Sequence, residues 1–148
     1  TLSTRICALV VSGGLVLSSV IACGGDNPTA PTVNVPFSVT DLIVGSGATA
    51  SAGQTVTVAY TGWLYEEGAA DNKGILFDQA MAEAPFSFVL GAGQVIAGWD
   101  QGLDGMKVGG RRRLVIPPAL AYGTQGTGGG LIPPNATLIF EVELLGVS

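Results

Sequence analysis

The 148-residue chain has no histidine and only two cysteines, Cys7 and Cys23. Without an imidazole, neither a Ser-His-Asp triad, a Cys-His dyad nor a His-rich zinc site can be assembled from this chain. Charge is also scarce: 11% of residues are Asp, Glu, Lys or Arg, against roughly a quarter in an average soluble protein. Six Lys and Arg face eleven Asp and Glu for a net charge of −5, which argues against electrostatic binding of nucleic acid. Few charges combined with 47% apolar residues argue equally against a disordered chain. The phosphate-cradling pattern GxxxxGK[ST] is missing, and Gly91-Ala92-Gly93 opens a dinucleotide fingerprint whose third glycine is replaced by Ile96. No cluster suits a metal ion, and no cofactor is implied.

What is present begins with an address. A single Arg5 precedes an apolar run over 6–22, and Val20-Ile21-Ala22-Cys23 closes it. One positive charge, an apolar stretch and small residues before a cut describe a secretory signal peptide over 1–22. A run of seventeen residues, weakened by Ser12, Gly13, Gly14, Ser18 and Ser19, is too poor for a retained membrane span. The last four residues resemble the lipobox of bacterial lipoproteins, in which the cysteine thiol is acylated; Cys23 is then the lipid attachment point. The expected location is the bacterial cell envelope, anchored by lipid. Gly24 behind the cysteine favours the outer membrane facing the periplasm, or the cell surface where there is one membrane. Residues 23–36, rich in Gly, Pro, Thr and Asn, read as a flexible tether, and the folded domain as 37–148.

Within that domain, Leu42, Ile43 and Val44 form a short strand ended by Gly45-Ser46-Gly47. Val56, Val58 and Tyr60 alternate along a second strand over 55–61, extended by 62–65, and an exposed loop follows over 66–74. Extended chain resumes over 75–78 and again over 85–90. Ile96, Trp99, Leu103 and Met106 are spaced three, four and three apart, one face of a short helix that Gly105 ends. Residues 113–116 form a strand stopped by Pro117-Pro118, and 123–134 a glycine-rich loop. In the last strand, over 136–145, Leu138, Phe140, Val142 and Leu144 point inward while Glu141 and Glu143 face water. Several strands and one helix without regular alternation predict an α+β fold with a mainly antiparallel sheet. Asp100 and Asp104, one turn apart, read as a solvated helix face, and Arg111, Arg112 and Arg113 as strand positions facing water.

The remaining signal is a set of bulky residues near turns. Val58-Ala59-Tyr60-Thr61-Gly62, Phe77-Asp78, Pro85-Phe86-Ser87-Phe88, Val95-Ile96-Ala97-Gly98-Trp99, Leu120-Ala121-Tyr122-Gly123, Ile132-Pro133-Pro134 and the closing strand from Ala136 to Leu144 together resemble the FKBP-type peptidyl-prolyl cis-trans isomerases, in that family's order. The resemblance spans nearly all of 39–147. It implies a five- to six-stranded antiparallel sheet wrapped around one short helix, with a proline pocket between them. It implies that Trp99 floors the pocket, that Tyr60, Phe86, Val95, Ile96 and Phe140 wall it, and that Phe77, Leu131 and Ile132 form its rim. The Ile96 N–H and the Tyr122 hydroxyl resemble donors to substrate carbonyls, and Asp78 the carboxylate beside the twisting amide. Phe88, Leu103 and Met106 keep the plain reading of core residues.

The implied activity is rotation of X-Pro bonds in exported proteins, by binding proline in a desolvated aromatic pocket. The implied partners are X-Pro segments of unfolded or exported proteins, macrolide inhibitors of the family, and a membrane reached through the lipid on Cys23. The sequence departs from the family's pattern at Ala82, where an arginine often partners the aspartate, in its long 66–76 loop and in its glycine-rich tip at 126–130. Those departures sustain an alternative, a non-catalytic module that captures proline-containing segments as a chaperone or adaptor. A bland third reading is a structural envelope lipoprotein.

Overall fold

A computed structural model describes residues 34–127 and 130–148. The expected signal peptide, Cys23 and the tether up to residue 33 lie outside the described residues; 34–36 carry no regular secondary structure. Six strands and one helix follow: β1 (Ser38–Ile43), β2 (Thr55–Tyr65), β3 (Lys73–Ala80), β4 (Phe86–Val89), α1 (Ala97–Gly102), β5 (Arg111–Ile116) and β6 (Leu138–Val147). They make one antiparallel sheet in the order β1-β5-β6-β2-β3, with β4 also paired to β2. The expected sheet around a single short helix is therefore what the chain forms. Among the described residues no helix is long and apolar enough to cross a membrane.

Alternation builds the core. Val56 and Val58 on β2, Leu114 and Ile116 on β5, and Leu138, Phe140, Val142 and Leu144 on β6 are all buried on the helix side of the sheet. Trp99, Leu103 and Met106 cover them from α1 and the turn behind it. Strand β2 is shared: Thr55 to Val58 pair with β4, whereas Tyr60 to Tyr65 pair with β3. The two partners part at Ala59, and the space opened at this fork becomes the site.

The helix is shorter than its apolar spacing predicts. It stops at Gly102, and Leu103 and Met106 are buried from the following turn instead. Gly105 takes a positive φ of 77° and its N–H donates to the Ala50 carbonyl rather than back into the helix, while the Arg112 guanidinium donates to the carbonyls of Gly102 (2.8 Å) and Asp104 (3.1 Å) and to the Asp41 carboxylate (2.6 Å). These bonds satisfy helix-end carbonyls that another turn would otherwise use. Arg112 therefore turns to the helix side rather than facing water as expected. Two glycines in six residues would normally disfavour a helix by about 1 kcal/mol each, but here they permit contact. A Cβ on Gly98 would lie 2.5 Å from Ile116 Cγ2, and one on Gly102 would lie 2.6 Å from Leu114 Cδ2.

Glu141 also departs from expectation. It points away from the core but is only 7% exposed, covered by Lys73 (2.6 Å), Arg111 (2.8 Å) and Arg113 (2.9 Å). Lys73 reaches it across the Trp63 ring, 4.3 Å from the ring centre. Burial alone would push the Glu141 carboxyl up; hydrogen bonds from Lys73 and Arg113, with the charges of Lys73 and Arg111, outweigh it and hold the carboxyl below 4.5. At the edge of the sheet, β1 starts earlier than Leu42 and leaves Val44 outside the strand.

Gly98→Ala should destabilise the fold by about 1–3 kcal/mol through overlap with Ile116, read as a lower urea midpoint, although helix propensity alone predicts a gain of about 1 kcal/mol. Gly146→Ala, which meets nothing within 4 Å, is the neutral control. Glu141→Gln should cost about 1–3 kcal/mol at pH 7. Because the folded carboxyl sits below its usual 4.5, this stabilisation is present above that pH and is lost as pH falls through the folded value. The gap between wild type and variant, measured by denaturant titration at several pH values, should therefore close on acidification.

Candidate functional site

A cavity of about 290 Å³ opens between α1 and the fork in the sheet, lined by Tyr60, Phe77, Asp78, Phe86, Gln94, Val95, Ile96, Trp99, Tyr122 and Phe140. Trp99 is 4% exposed and forms its base. Tyr60 and Phe140 stand edge-on to the indole, with ring centres 4.9 and 5.2 Å away, an arrangement that aromatic quadrupoles favour. Phe77 meets Phe140 at 5.4 Å and 89°, and Phe86 completes the wall 6.2 Å from Tyr60. Phe86 and Tyr122, each 39% exposed, mark where the hollow meets solvent. The buried Trp99 Nε1–H has no hydrogen-bond partner among the described residues.

Phe77 and Asp78 are consecutive, and strict alternation would send them to opposite faces. Both line the cavity. The ladder between β2 and β3 supplies the reason: Gly62 pairs with Asp78 but Trp63 pairs with Leu76, so Phe77 is an extra residue on β3. A bulge of this kind re-aims one side chain. Gly62 makes room beneath it, since a Cβ there would lie 2.7 Å from Phe140 Cε1 and 2.8 Å from Phe77 Cζ.

The polar groups cluster at one side. The Tyr60 hydroxyl donates to Asp78 Oδ2 at 2.7 Å, and the Gln79 N–H donates to Oδ1 at 2.9 Å. The carboxylate is thus held without an arginine. Ala82 lies instead on a separate hollow with Arg111, Glu141 and Glu143. Burial, followed by the hydrogen bond to Asp78 and its charge, pushes the Tyr60 phenol far above 10. Burial and then the Asp78 charge raise Tyr122 as well. Both phenols therefore keep their protons and remain donors through neutral pH. No hydrogen bond among the described residues engages the Ile96 N–H; the Ile96 carbonyl instead accepts from Trp99 N–H at 2.9 Å.

Nine of the eleven predicted pocket residues meet at this cavity: Tyr60, Phe77, Asp78, Phe86, Val95, Ile96, Trp99, Tyr122 and Phe140. Leu131 and Ile132 are not brought to it. Ile132 is 3% exposed and belongs to the core, while Leu131 is 57% exposed. The Thr127 hydroxyl accepts from the Ile132 N–H, and the Ile132 carbonyl accepts from Thr127 N–H, both at 3.0 Å; this closed loop turns the Ile132 side chain inward. Gln94 lines the cavity although the sequence reading passed over it. Its Oε1 accepts from the Val89 N–H at 2.9 Å, a five-residue reach that no periodicity signals. No group of three or more His, Cys, Asp or Glu residues able to hold a metal exists among the described residues.

A sheet folded over one helix, with an open aromatic hollow and polar groups gathered at one side of it, suits a protein that acts on an apolar group by enclosing it. Comparison with known proteins gives that class its name. The family model of the FKBP-type peptidyl-prolyl cis-trans isomerases matches residues 47–145. An FK506-binding protein of Streptomyces anulatus is 47% identical over 128 residues, covering 84% of this chain and 91% of its own. An FK506-binding protein of Neisseria meningitidis serogroup A is 50% identical over 110 residues, covering 74% of this chain and 94% of its own. Among solved structures, AtFKBP13 superposes with a TM-score of 0.65 at 40% identity, covering 76% of this chain and 93% of that one. The chain belongs to the FKBP-type peptidyl-prolyl cis-trans isomerase family, an enzyme family that binds proline-containing substrates and macrolide inhibitors.

Proposed function

We propose that this enzyme turns X-Pro bonds of exported proteins inside the Trp99 hollow, held at the envelope by a lipid on Cys23 at the end of the 23–36 tether. The prolyl ring rests on the Trp99 indole between Tyr60, Phe86, Val95 and Phe140, with Phe77 at the mouth. The free Ile96 N–H and the Tyr122 hydroxyl take substrate carbonyls, and Asp78, fixed by Tyr60, lies beside the twisting amide. The observation that carries this reading is the open 290 Å³ cavity with the indole at its base and aromatic walls.

Amide rotation is opposed by resonance, a barrier of ~18–20 kcal/mol. The planar amide carries partial negative charge on oxygen, which water solvates well. In the hollow that solvation is lost, and the planar state loses more than the twisted one, whose charges are less separated. Apolar walls therefore lower the barrier by differential stabilisation. A thousandfold acceleration requires only about 4 kcal/mol. Proline suits this chemistry because its cis and trans forms differ by roughly 0.5–1 kcal/mol yet exchange slowly.

In a refolding assay limited by proline isomerisation, the wild-type chain should accelerate the slow phase and FK506 should abolish the effect. Trp99→Leu should reduce the acceleration at least ~10-fold while keeping the strand signature in circular dichroism. Equal acceleration by that variant would remove the indole from the mechanism. For the anchor, the intact mass of the protein from a bacterial envelope should correspond to a chain beginning at Cys23 plus acyl groups; a mass equal to the unmodified polypeptide would refute the lipid.

A further inference from the structure

The segment 90–96 joins β4 to α1 and delivers Val95 and Ile96 to the cavity. Within the segment Gln94 Oε1 accepts from the Val89 N–H at 2.9 Å, but no side chain of its own holds the Gly91 and Gly93 amides. Gly91 and Gly93 both have positive φ, 78° and 72°, and ordering each such residue costs about 1–2 kcal/mol of backbone entropy. The order at the two glycines comes from a side chain on the helix. Asp100 Oδ1 accepts from the Gly91 N–H at 2.9 Å, and Oδ2 accepts from the Gly93 N–H at 3.1 Å. Hydrogen bonds to a carboxylate are roughly twice as strong as neutral ones. Asp100 is also the neighbour of Trp99 on α1. One residue thus carries the cavity's base, and the next ties down the loop that forms its wall. The Asp100 carboxylate itself does not line the cavity.

We infer that Asp100 is a positioning residue for the isomerase: by gripping Gly91 and Gly93 it sets the height of Val95 and the Ile96 N–H above the Trp99 indole before substrate arrives. It is not the solvated helix position that its spacing from Asp104 suggests. The inference rests on the reading that the prolyl ring occupies this hollow. A loop released from the carboxylate populates the competent arrangement only part of the time, and apparent affinity falls by that fraction. Turnover from the bound state, in which the loop is again in place, is spared.

The test uses the full chain as wild type, Asp100→Asn and Asp100→Glu, with a proline-containing tetrapeptide as substrate and FK506 as ligand. Asp100→Asn replaces one acceptor with an NH₂ group that faces a backbone donor. It should raise KM and weaken FK506 binding together by ~10-fold, with kcat within about twofold, and speed hydrogen exchange at Gly91 and Gly93 but not along β6. Asp100→Glu, which retains both oxygens, should recover most of the loss. The inference is overturned if exchange at Gly91 and Gly93 quickens while KM and FK506 affinity stay at wild-type values, or if kcat alone falls. Should Asp100→Asn fail to fold, wild-type exchange decides: Gly91 and Gly93 should be protected in the free protein and change little with FK506. Protection appearing only on binding refutes the inference. Wild-type turnover and the Trp99→Leu variant report on the pocket itself, so failure there is distinguishable from failure of the Asp100 role.

Discussion

The close seating of α1 on the sheet is the constraint on which the site depends. With glycine at 98 and 102, helix backbone lies directly against Ile116 and Leu114, and the Trp99 ring reaches the level of Tyr60 and Phe140 rather than standing off from them. A bulkier residue at either position would lift the indole toward solvent and narrow the hollow above it. The fork in β2 is the other half of this geometry. Because β3 and β4 pair with different stretches of one strand, the sheet opens beside the helix.

The chemistry follows from what that geometry keeps out and what it holds still. Aromatic walls surround the hollow, and part of its polar lining is restrained. Asp78 is gripped by Tyr60 and the Gln79 N–H, and the Gln94 amide is tied to Val89. No side chain has to change charge for an amide to rotate, so a chain without histidine loses nothing in this role. On the far face, Lys73, Arg111 and Arg113 converge on Glu141 and bind β3, β5 and β6 together behind the pocket.

Much of this was legible in the sequence. Alternation along Leu138, Phe140, Val142 and Leu144 located the last strand, and the order of the aromatic segments assembled nine of the lining residues. What escaped it were interactions in which a residue disobeys its period or finds a distant partner. The bulge that turns Phe77 and Asp78 to the same side depends on register with Gly62 and Trp63, which no local pattern encodes. Glu141 sits where a strand faces water, and only the approach of three cations from other strands buries it. Arg112 reaches from β5 to the carbonyls at the end of the helix. Ile132 is drawn into the core by its loop's own hydrogen bonds, and Asp100 spends its carboxylate on amides seven and nine residues earlier.

The place of β6 has a consequence for how the molecule comes into being. It is the last strand of the sheet to be synthesised, yet it lies in the middle, between β5 and β2. A nascent chain that has left the ribosome as far as Ile116 carries both flanks of the sheet and nothing to join them. Val58 and Leu114 then lack the β6 residues they pair beside, and long-range pairing of this kind is slow to form. The complete sheet therefore forms only when the strand ending at residue 147 is inserted between its two flanks.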